Sequence, residues 1–411
     1  MTRKMKDSGI EWIGMIPEGW DRIRLRYLCT IETGNMDTQD ADSEGIYPFY
    51  VRSPNIEKSS KYTFQGEGII VAGDGVGAGR VFHHAFGEYG VHQRCYRLSN
   101  FNGINPDFLF YYISNMFPNI MDYGSAQSTV PSIRLFMLQD FPVYIPLRTT
   151  QPRIVAYLDA KCAEIDALIA AKEKSNALLK EYRQSIIFEA VTKGLDPNAP
   201  MKDSGIEWIG MIPEGWRLER LKYHAVLNPN IVLPSLSDDS DVTFIPMDHL
   251  KKGYHMKSTT TYEKVKKGYV IFENNDILMA KVTPCLENGN LAIASQLING
   301  IGFGSTEINV IRCKCIENKH LYYLLQCDGY INKATYEMYG VAGLKRLDPS
   351  FIPNSLIPIP PQSDQQRIVS FLDAKCAEID ALIAANDKTI SQLREYRQSV
   401  IFEAVTGKME V

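Results

Sequence analysis

No stretch of the 411-residue sequence approaches the roughly 18 uncharged apolar residues that a membrane span requires. The opening MTRKMKDSGIEW holds neither an apolar run nor a small-residue cleavage site, so no secretory signal is expected. Cysteine is sparse. Eight thiols, at positions 29, 95, 162, 285, 313, 315, 327 and 376, make no disulfide framework in a chain this long, and Cys313 and Cys315 have no second pair at zinc spacing. Reduced thiols in a cytoplasmic protein are the expectation. Positive charge is not in excess either: 44 Lys and Arg against 48 Asp and Glu leave a net charge of −4. That argues against a uniformly basic nucleic-acid binder, although a local field over one face is a separate matter.

Catalytic signatures are missing as well. There is no G-x-S-x-G, no H-E-x-x-H, and no Asp/Asn-Pro-Pro-aromatic motif. The seven histidines (83, 84, 92, 224, 249, 255, 320) show no metal spacing, and Glu307 in Gly-Ser-Thr-Glu reads as a lone structural carboxylate. The loop Gly73-Asp-Gly-Val-Gly-Ala-Gly-Arg80 invites a nucleotide-binding reading. Its glycines, at 73, 75, 77 and 79, match neither G-x-G-x-x-G nor the P-loop, and a strand-like RVFHH follows where a phosphate-binding helix would start. A glycine-rich hairpin loop fits better, and such a loop still lets another backbone or a DNA phosphate come close.

What the chain does have is itself, twice. Met5–Trp20, MKDSGIEWIGMIPEGW, recurs letter for letter at Met201–Trp216, 196 residues later. Arg153–Ala171, RIVAYLDAKCAEIDALIAA, recurs at Arg367–Ala385 as RIVSFLDAKCAEIDALIAA, and EYRQSIIFEAVT as EYRQSVIFEAVT, both 214 residues later. Between the repeats lie Asp21–Thr150 and Arg217–Asp364, which share no obvious sequence. From Leu158, positions spaced alternately three and four apart give Leu158, Lys161, Ile165, Leu168, Lys172, Ser175, Leu179, Tyr182 and Ile186. The second copy gives Leu372, Lys375, Ile379, Leu382, Asn386, Thr389, Leu393, Tyr396 and Val400. This is a heptad seam, apolar at its ends and polar in its middle. The run 153–191 lacks Pro and Gly, which predicts a helix of about 57 Å. Such a helix cannot bury its stripe alone, so the two copies are expected to pack antiparallel about a pseudo-twofold axis.

The variable segments alternate short β-branched runs with Gly, Asn and Asp, as in Gly68-IIVAG, Arg80-VFHH, Gly90-VHQRCYRL, Val270-IF, Asp276-ILMAKV, Asn290-LAIA and Ile308-NVIRCK. Short helices are predicted near Pro106–Met116 and Lys319–Cys327. The fold class is therefore α+β: two β-rich domains joined by two long helices. Lys251, Lys252, Lys257, Lys264, Lys266 and Lys267 gather beside Tyr254, Tyr262 and Tyr269, a composition suited to a phosphate backbone. Late loops at Tyr123–Arg134 and Tyr339–Ser350 hold corresponding places in the two halves and carry polar side chains of the kind that read base edges. The candidate DNA-contacting set is Arg80, Gln93, Arg94, Gln127, Ser128, Arg134, Lys266, Lys267, Lys281, Lys345 and Arg346. No metal-binding or catalytic set emerges. A nucleotide-binding enzyme using Gly73–Gly79, or a helical scaffold that touches no DNA, are the competing readings.

On KDSGIEWIGMIPEGW, its central repeat, PPQSDQQRIVSFLDAKCAEIDALI, AKVTPCLENGNLAIA and NGIGFGSTE, the sequence resembles the specificity (S) subunit of a type I restriction–modification system over nearly its whole length. The resemblance implies two target-recognition domains, each reading half of a bipartite, asymmetric double-stranded DNA site. It divides the chain into a first recognition domain (1–150), a first spacer helix (151–194), a linker and second recognition domain (195–364), and a second spacer helix (365–411). It implies a non-catalytic subunit without a cofactor of its own. Two methylation (M) subunits would use S-adenosylmethionine to methylate adenine, and restriction (R) subunits would use ATP and Mg. One departure from internal symmetry stands at Thr150-Gln-Pro-Arg153, where the second copy has Asp364-Gln-Gln-Arg367. Pro152 is tolerable in a first helical turn, so only the local cap is expected to differ.

Overall fold

The motif written twice folds the same way twice. Met5–Asp7 pairs antiparallel with Met15–Pro17, and Met201–Asp203 with Met211–Pro213 in the same register. In each copy one lysine ties the turn shut: Lys6 Nζ donates to the carbonyls of Glu18 and Trp20 at 2.8 Å, and Lys202 Nζ to those of Glu214 and Trp216 at 2.7 Å. Both tryptophans are buried. This computed structural model describes residues 3–124, 131–341 and 343–411. Its contacts define two units, Met1–Glu173 with Asp387–Val411, and Lys174–Asn386.

In the first unit the variable segment supplies β1 (Thr30–Thr33), β2 (Tyr47–Tyr50), β3 (Glu57–Ser59), β4 (Phe64–Gln65), β5 (Gly68–Ala72), β6 (Phe82–Ala85), β7 (Glu88–Val91) and β8 (Cys95–Ser99). They form two four-stranded sheets, ordered β1-β8-β5-β6 and β3-β2-β7-β4. In the second unit β9 (Ala225–Leu227), β10 (Asp241–Ile245), β11 (Ser258–Thr261), β12 (Val270–Glu273), β13 (Ile277–Ala280), β14 (Leu291–Ile293), β15 (Ile301–Gly304) and β16 (Ile308–Cys313) repeat that order as β9-β16-β13-β14 and β11-β10-β15-β12. Even the parallel pair recurs, β2 with β7 and β10 with β15. Two segments without visible sequence likeness therefore share one topology.

One sequence expectation changes here. Gly90-VHQRCYRL is not one strand: β7 ends at Val91, His92–Arg94 turn, and β8 starts at Cys95 in the other sheet. The turn is held by the Cys95 amide donating to the His92 carbonyl (2.8 Å) and the Arg94 amide donating to His92 Nδ1 (3.0 Å). The helix after β8, α1, spans Pro106–Gly124 and runs on past the predicted end at Met116.

The long helices are α2 (Gln151–Lys193, 43 residues) and, after the short α3 (Asn318–Leu325), α4 (Gln362–Val405, 44 residues). Each is about 65 Å long, and each contributes one stretch to each unit. Pro152 sits in the first turn of α2, where its missing N–H costs no helical bond, and the start of α2 falls three residues later in the repeat than that of α4. Both helices end on a glycine at positive φ, Gly194 (+78°) and Gly407 (+69°). A Cβ at Gly407 would come within 2.7 Å of Pro17 and Trp20, and one at Gly194 within 3.2 Å of Trp216. Thus α4 ends against the first copy of the motif and α2 against the second.

The helix-pairing seam differs in phase from the one expected. Leu158, Cys162, Ile165, Asn176 and Ile187 are buried on α2, and Leu372, Cys376, Ile379, Ile390 and Val400 on α4. Ile169, Leu179, Arg183 and Ile186, and on α4 Ile383, Leu393 and Arg397, are half-buried along the same lines. Leu168 (49% exposed), Tyr182 (57%), Leu382 (50%) and Tyr396 (52%) lie outside it. From Leu158 the alternation can step by three or by four first. The structure steps by four, which seats Cys162, Ile169, Cys376, Ile383 and Ile390 and lays the arginine stems along the groove. Within the first unit Arg397 Nε reaches Asp166 Oδ1 at 2.9 Å; within the second Arg183 Nε reaches Asp380 Oδ1 at 3.1 Å. These pairs set the helices antiparallel. The polar middle meets where Asn386 Nδ2 donates to Asn176 Oδ1 (2.9 Å) and Ser175 Oγ (3.4 Å).

One core gathers Trp20, Phe108, Tyr112, Phe117 and Phe141 with Leu158, Val400 and Val405; the other gathers Trp216, Leu321, Tyr330 and Ile357 with Ile187 and Leu372. All eight cysteines are free thiols. Among the described residues no helix is long and apolar enough to cross a membrane.

Candidate nucleic-acid interface

In both units the same three connections converge: the loop after the third strand of the all-antiparallel sheet, the turn that joins the two sheets, and the late loop. In the first unit the Gly73 amide donates to the Arg94 carbonyl (2.9 Å), the Ile133 amide to the Gly73 carbonyl (2.7 Å), and the Gly75 amide to the Pro131 carbonyl (2.9 Å). This packing explains the glycines. A Cβ at Gly73 would lie 2.6 Å from the Arg94 carbonyl oxygen, and one at Gly77 2.4 Å from that of Arg52. The loop joins antiparallel β5 and β6, so the chain leaves it into a strand and not into a phosphate-binding helix. At its tip Val76 is 94% exposed.

Asp74 organises the charge of this surface. Its carboxylate accepts from Arg52 Nη1 and Arg94 Nη1, each at 2.9 Å. Burial works against ionising Asp74, but the hydrogen bonds from the two guanidinium groups outweigh it and hold its carboxyl below the usual carboxylate range. His92 lies buried in the same turn, its pKa pushed down by desolvation and by the charge of Arg52. Arg52 was not singled out by sequence reasoning, since nothing local links it to the loop 22 residues on.

The second unit assembles the same junction from other letters. The Lys281 amide donates to the Glu307 carbonyl (3.1 Å), the Leu347 amide to the Lys281 carbonyl (2.8 Å), and the Thr283 amide to the Lys345 carbonyl (3.1 Å). Arg346 Nη2 reaches Glu307 Oε1 at 2.6 Å. Glu307, expected to be a lone carboxylate, therefore has a partner, brought from 39 residues away by the late hairpin. Desolvation lowers the pKa of half-buried Lys281, with Glu307 opposing and Arg346 adding to the shift. The pinning carboxylate comes from the loop after β5 in one unit and from the turn after β15 in the other.

The remaining candidates fall in different places. Gln93 and Arg94 are exposed in the turn between sheets, and Arg134 is exposed one residue after Ile133. Gln127 and Ser128 lie outside the described residues. Arg80, at the far end of the glycine loop, lines a separate groove with Trp12, Phe110, Asn115 and Gln398. Lys345 is exposed on the late hairpin. Lys266 is held by both oxygens of Asp238, at 2.8 and 2.9 Å, which raises its pKa, while Lys267 is exposed. Neither lysine belongs to the three-loop junction. One group among the described residues brings three metal-ligating atoms together, Glu67, His84 and Asp107. Here His84 Nε2 lies 2.9 Å from Glu67 and Nδ1 3.5 Å from Asp107. Each ring nitrogen faces its own carboxylate, the geometry of a clamp between β6 and the start of α1.

A pseudo-repeated α+β chain with two such surfaces and two long helices is the architecture of a two-domain recognition protein. The model of the type I restriction modification DNA specificity domain matches it twice, over residues 17–179 and 230–392, and the chain belongs to that family. It is 38% identical over 163 residues to the type I restriction enzyme EcoAI specificity subunit of Escherichia coli, a match covering 38% of this chain and 27% of that one. The EcoDI specificity subunit of the same organism is 22% identical over 96% of this chain and 90% of its own. A solved structure described as the "structural basis underlying complex assembly and conformational transition of the type I R-M system" superposes with a TM-score of 0.69. That match has 16% identity and covers 96% of this chain and 99% of the other. It is a likeness of fold.

Proposed function

We propose that this chain is the DNA-recognition subunit of a type I restriction–modification assembly, reading a bipartite, asymmetric double-stranded site with one half per unit. The observation that carries the reading is the contrast between framework and surface. Strand order recurs sheet for sheet, and both long helices end on a glycine, while the three-loop surface is rebuilt with different residues and a differently placed carboxylate. A repeated scaffold with independent surfaces suits two different half-sites.

Partners are read from the helices. Packing demands likeness at positions that meet the other helix only, yet the repeats agree at exposed apolar ones too: Ala167-Leu168 recurs as Ala381-Leu382, and Tyr182 as Tyr396. Two like apolar faces fit two copies of one partner, the methylation subunit. Restriction subunits complete the assembly. In this reading those partners use S-adenosylmethionine, ATP and Mg, and the present chain binds and positions without catalysing.

The test is methylation-site sequencing of a host that expresses the chain with its methylation subunits. A two-part motif is expected, and replacing residues 21–150 with the segment of another family member should change one half of it. A motif that changes in both halves would refute the modular reading.

A further inference from the structure

The late hairpin of the second unit is built unlike the rest of the surface. Met338–Val341 pairs antiparallel with Leu344–Leu347, in the register Met338–Leu347, Tyr339–Arg346, Gly340–Lys345 and Val341–Leu344. Side chains alternate across such a ribbon. Met338 and Leu347 are buried in the core and anchor it, and the Leu347 and Thr283 amides bond across to the loop after β13. The opposite face carries Tyr339, Val341, Leu344 and Arg346. Val341 is 83% exposed and Leu344 81%. Gly340 keeps the strands close, since a Cβ there would lie 2.2 Å from the Leu344 carbonyl oxygen. An anchored two-stranded ribbon with bare aliphatic side chains beside a pinned guanidinium is a surface made to be covered.

We infer that this hairpin is the major-groove reading ribbon of the second unit, with Arg346 recognising a guanine and Val341 and Leu344 meeting thymine methyl groups. The inference rests on the DNA-recognition reading above and narrows it to named residues. The major groove admits a two-stranded β-ribbon, and only there do G·C pairs present the O6/N7 acceptors of guanine and A·T pairs the methyl of thymine. Arg346 spends one terminal nitrogen on Glu307, which fixes the plane of its fork while half of its side chain stays exposed. Lys345 sits on the other face of the ribbon, placed for a phosphate. A protein partner would call for a broader apolar patch with fewer cations. Glu307 is a positioning residue, and Arg346 is the one that touches the base.

The experiment uses the full chain with its methylation subunits. Arg346→Lys keeps the charge and loses the fork, so methylation sequencing should show one guanine of the second half-site relaxed by about 10–100-fold, the span of one bidentate contact. Glu307→Gln should relax the same position less, and the first half-site should be unchanged in both. In a duplex of the motif so found, 7-deazaguanine at that position should weaken wild-type binding by a like factor and Arg346→Lys binding little further. Uracil in place of a contacted thymine should weaken the wild type but not Leu344→Ser. An unchanged motif with uniformly weaker binding would make Arg346 a phosphate contact and overturn the inference. So would loss of the methylation subunits in place of loss of base discrimination. A wild-type complex that leaves no motif at all would fail earlier, at the recognition reading itself.

Discussion

Set side by side, the two units agree where nothing is read and differ where something would be. Gln151 accepts the Asn105 amide at 2.6 Å and donates to the Pro146 carbonyl at 3.1 Å; Gln365 does the same with Glu317 and Pro360 at 2.7 and 2.9 Å. Tyr111 donates to Asp159 as Tyr323 donates to Asp373, each at 2.7 Å. These bonds tie the helix of each recognition domain to a long helix, and they survive between segments of unrelated sequence. Asp74 and Glu307, by contrast, pin arginines from different loops. The lesson is that the surface is free to vary because the framework bonds lie on the repeats and at the domain base, away from the loops.

The largest expected effect tests the equivalence of the helix faces. Leu168→Glu and Leu382→Glu each put a charge on an exposed apolar spot without touching the seam. Each single change should lower the number of bound methylation subunits from two to one, and the double change to none, as read by native mass spectrometry. A single variant that loses both copies, or neither, would break the equivalence.

A second comparison concerns one core position. Where the first unit has fully buried Phe108, the second has fully buried His320, with no hydrogen-bond partner for either ring nitrogen among the described residues. Burial pushes its pKa down from 6.5 to about 4. Between those values the unfolded chain binds a proton that the folded chain refuses, so stability falls as pH drops through the window and is level on either side of it. The whole loss is on the order of 3 kcal/mol. His320→Phe should therefore raise the unfolding midpoint of the second unit far more at pH 4.5 than at pH 7.5. An equal gain at both would show that the fold leaves the pKa of His320 unshifted.

How much of this could be read beforehand depends on distance along the chain. The repeats, the long helices and their glycine stops are local, and letters alone disclose them. Seam phase is local too, yet Leu168 and Tyr182 are as apolar as Cys162 and Ile169, and pattern cannot choose between two stripes that adjoin. The break at His92–Arg94 hides in β-prone letters because the chain there leaves one sheet for another, a tertiary event. The site is hidden for the same reason. Arg52 finds Asp74, and Arg346 finds Glu307, only after strands have ordered the loops, so Arg346 was legible as a candidate and its carboxylate was not.

The smallest expected effect makes the sharpest test of symmetry. Arg183–Asp380 and Arg397–Asp166 are the same pair seen from the two repeats, each with two nitrogens facing two oxygens. Their carboxylates are about half exposed, at 55% and 53%, so each ion pair is worth roughly 0.2–1 kcal/mol. The arginine stems lie in the seam, more deeply for Arg183 (20% exposed) than for Arg397 (34%), and their methylene groups add apolar packing. Arginine to methionine removes the charge and keeps most of the stem; arginine to alanine removes both. In urea unfolding, Arg183→Met and Arg397→Met should cost the same within about 0.3 kcal/mol. Arg183→Ala should cost more than Arg397→Ala, because more stem is buried there. Equal alanine costs with unequal methionine costs would reverse that assignment, placing the asymmetry in the charges and leaving the packing alike.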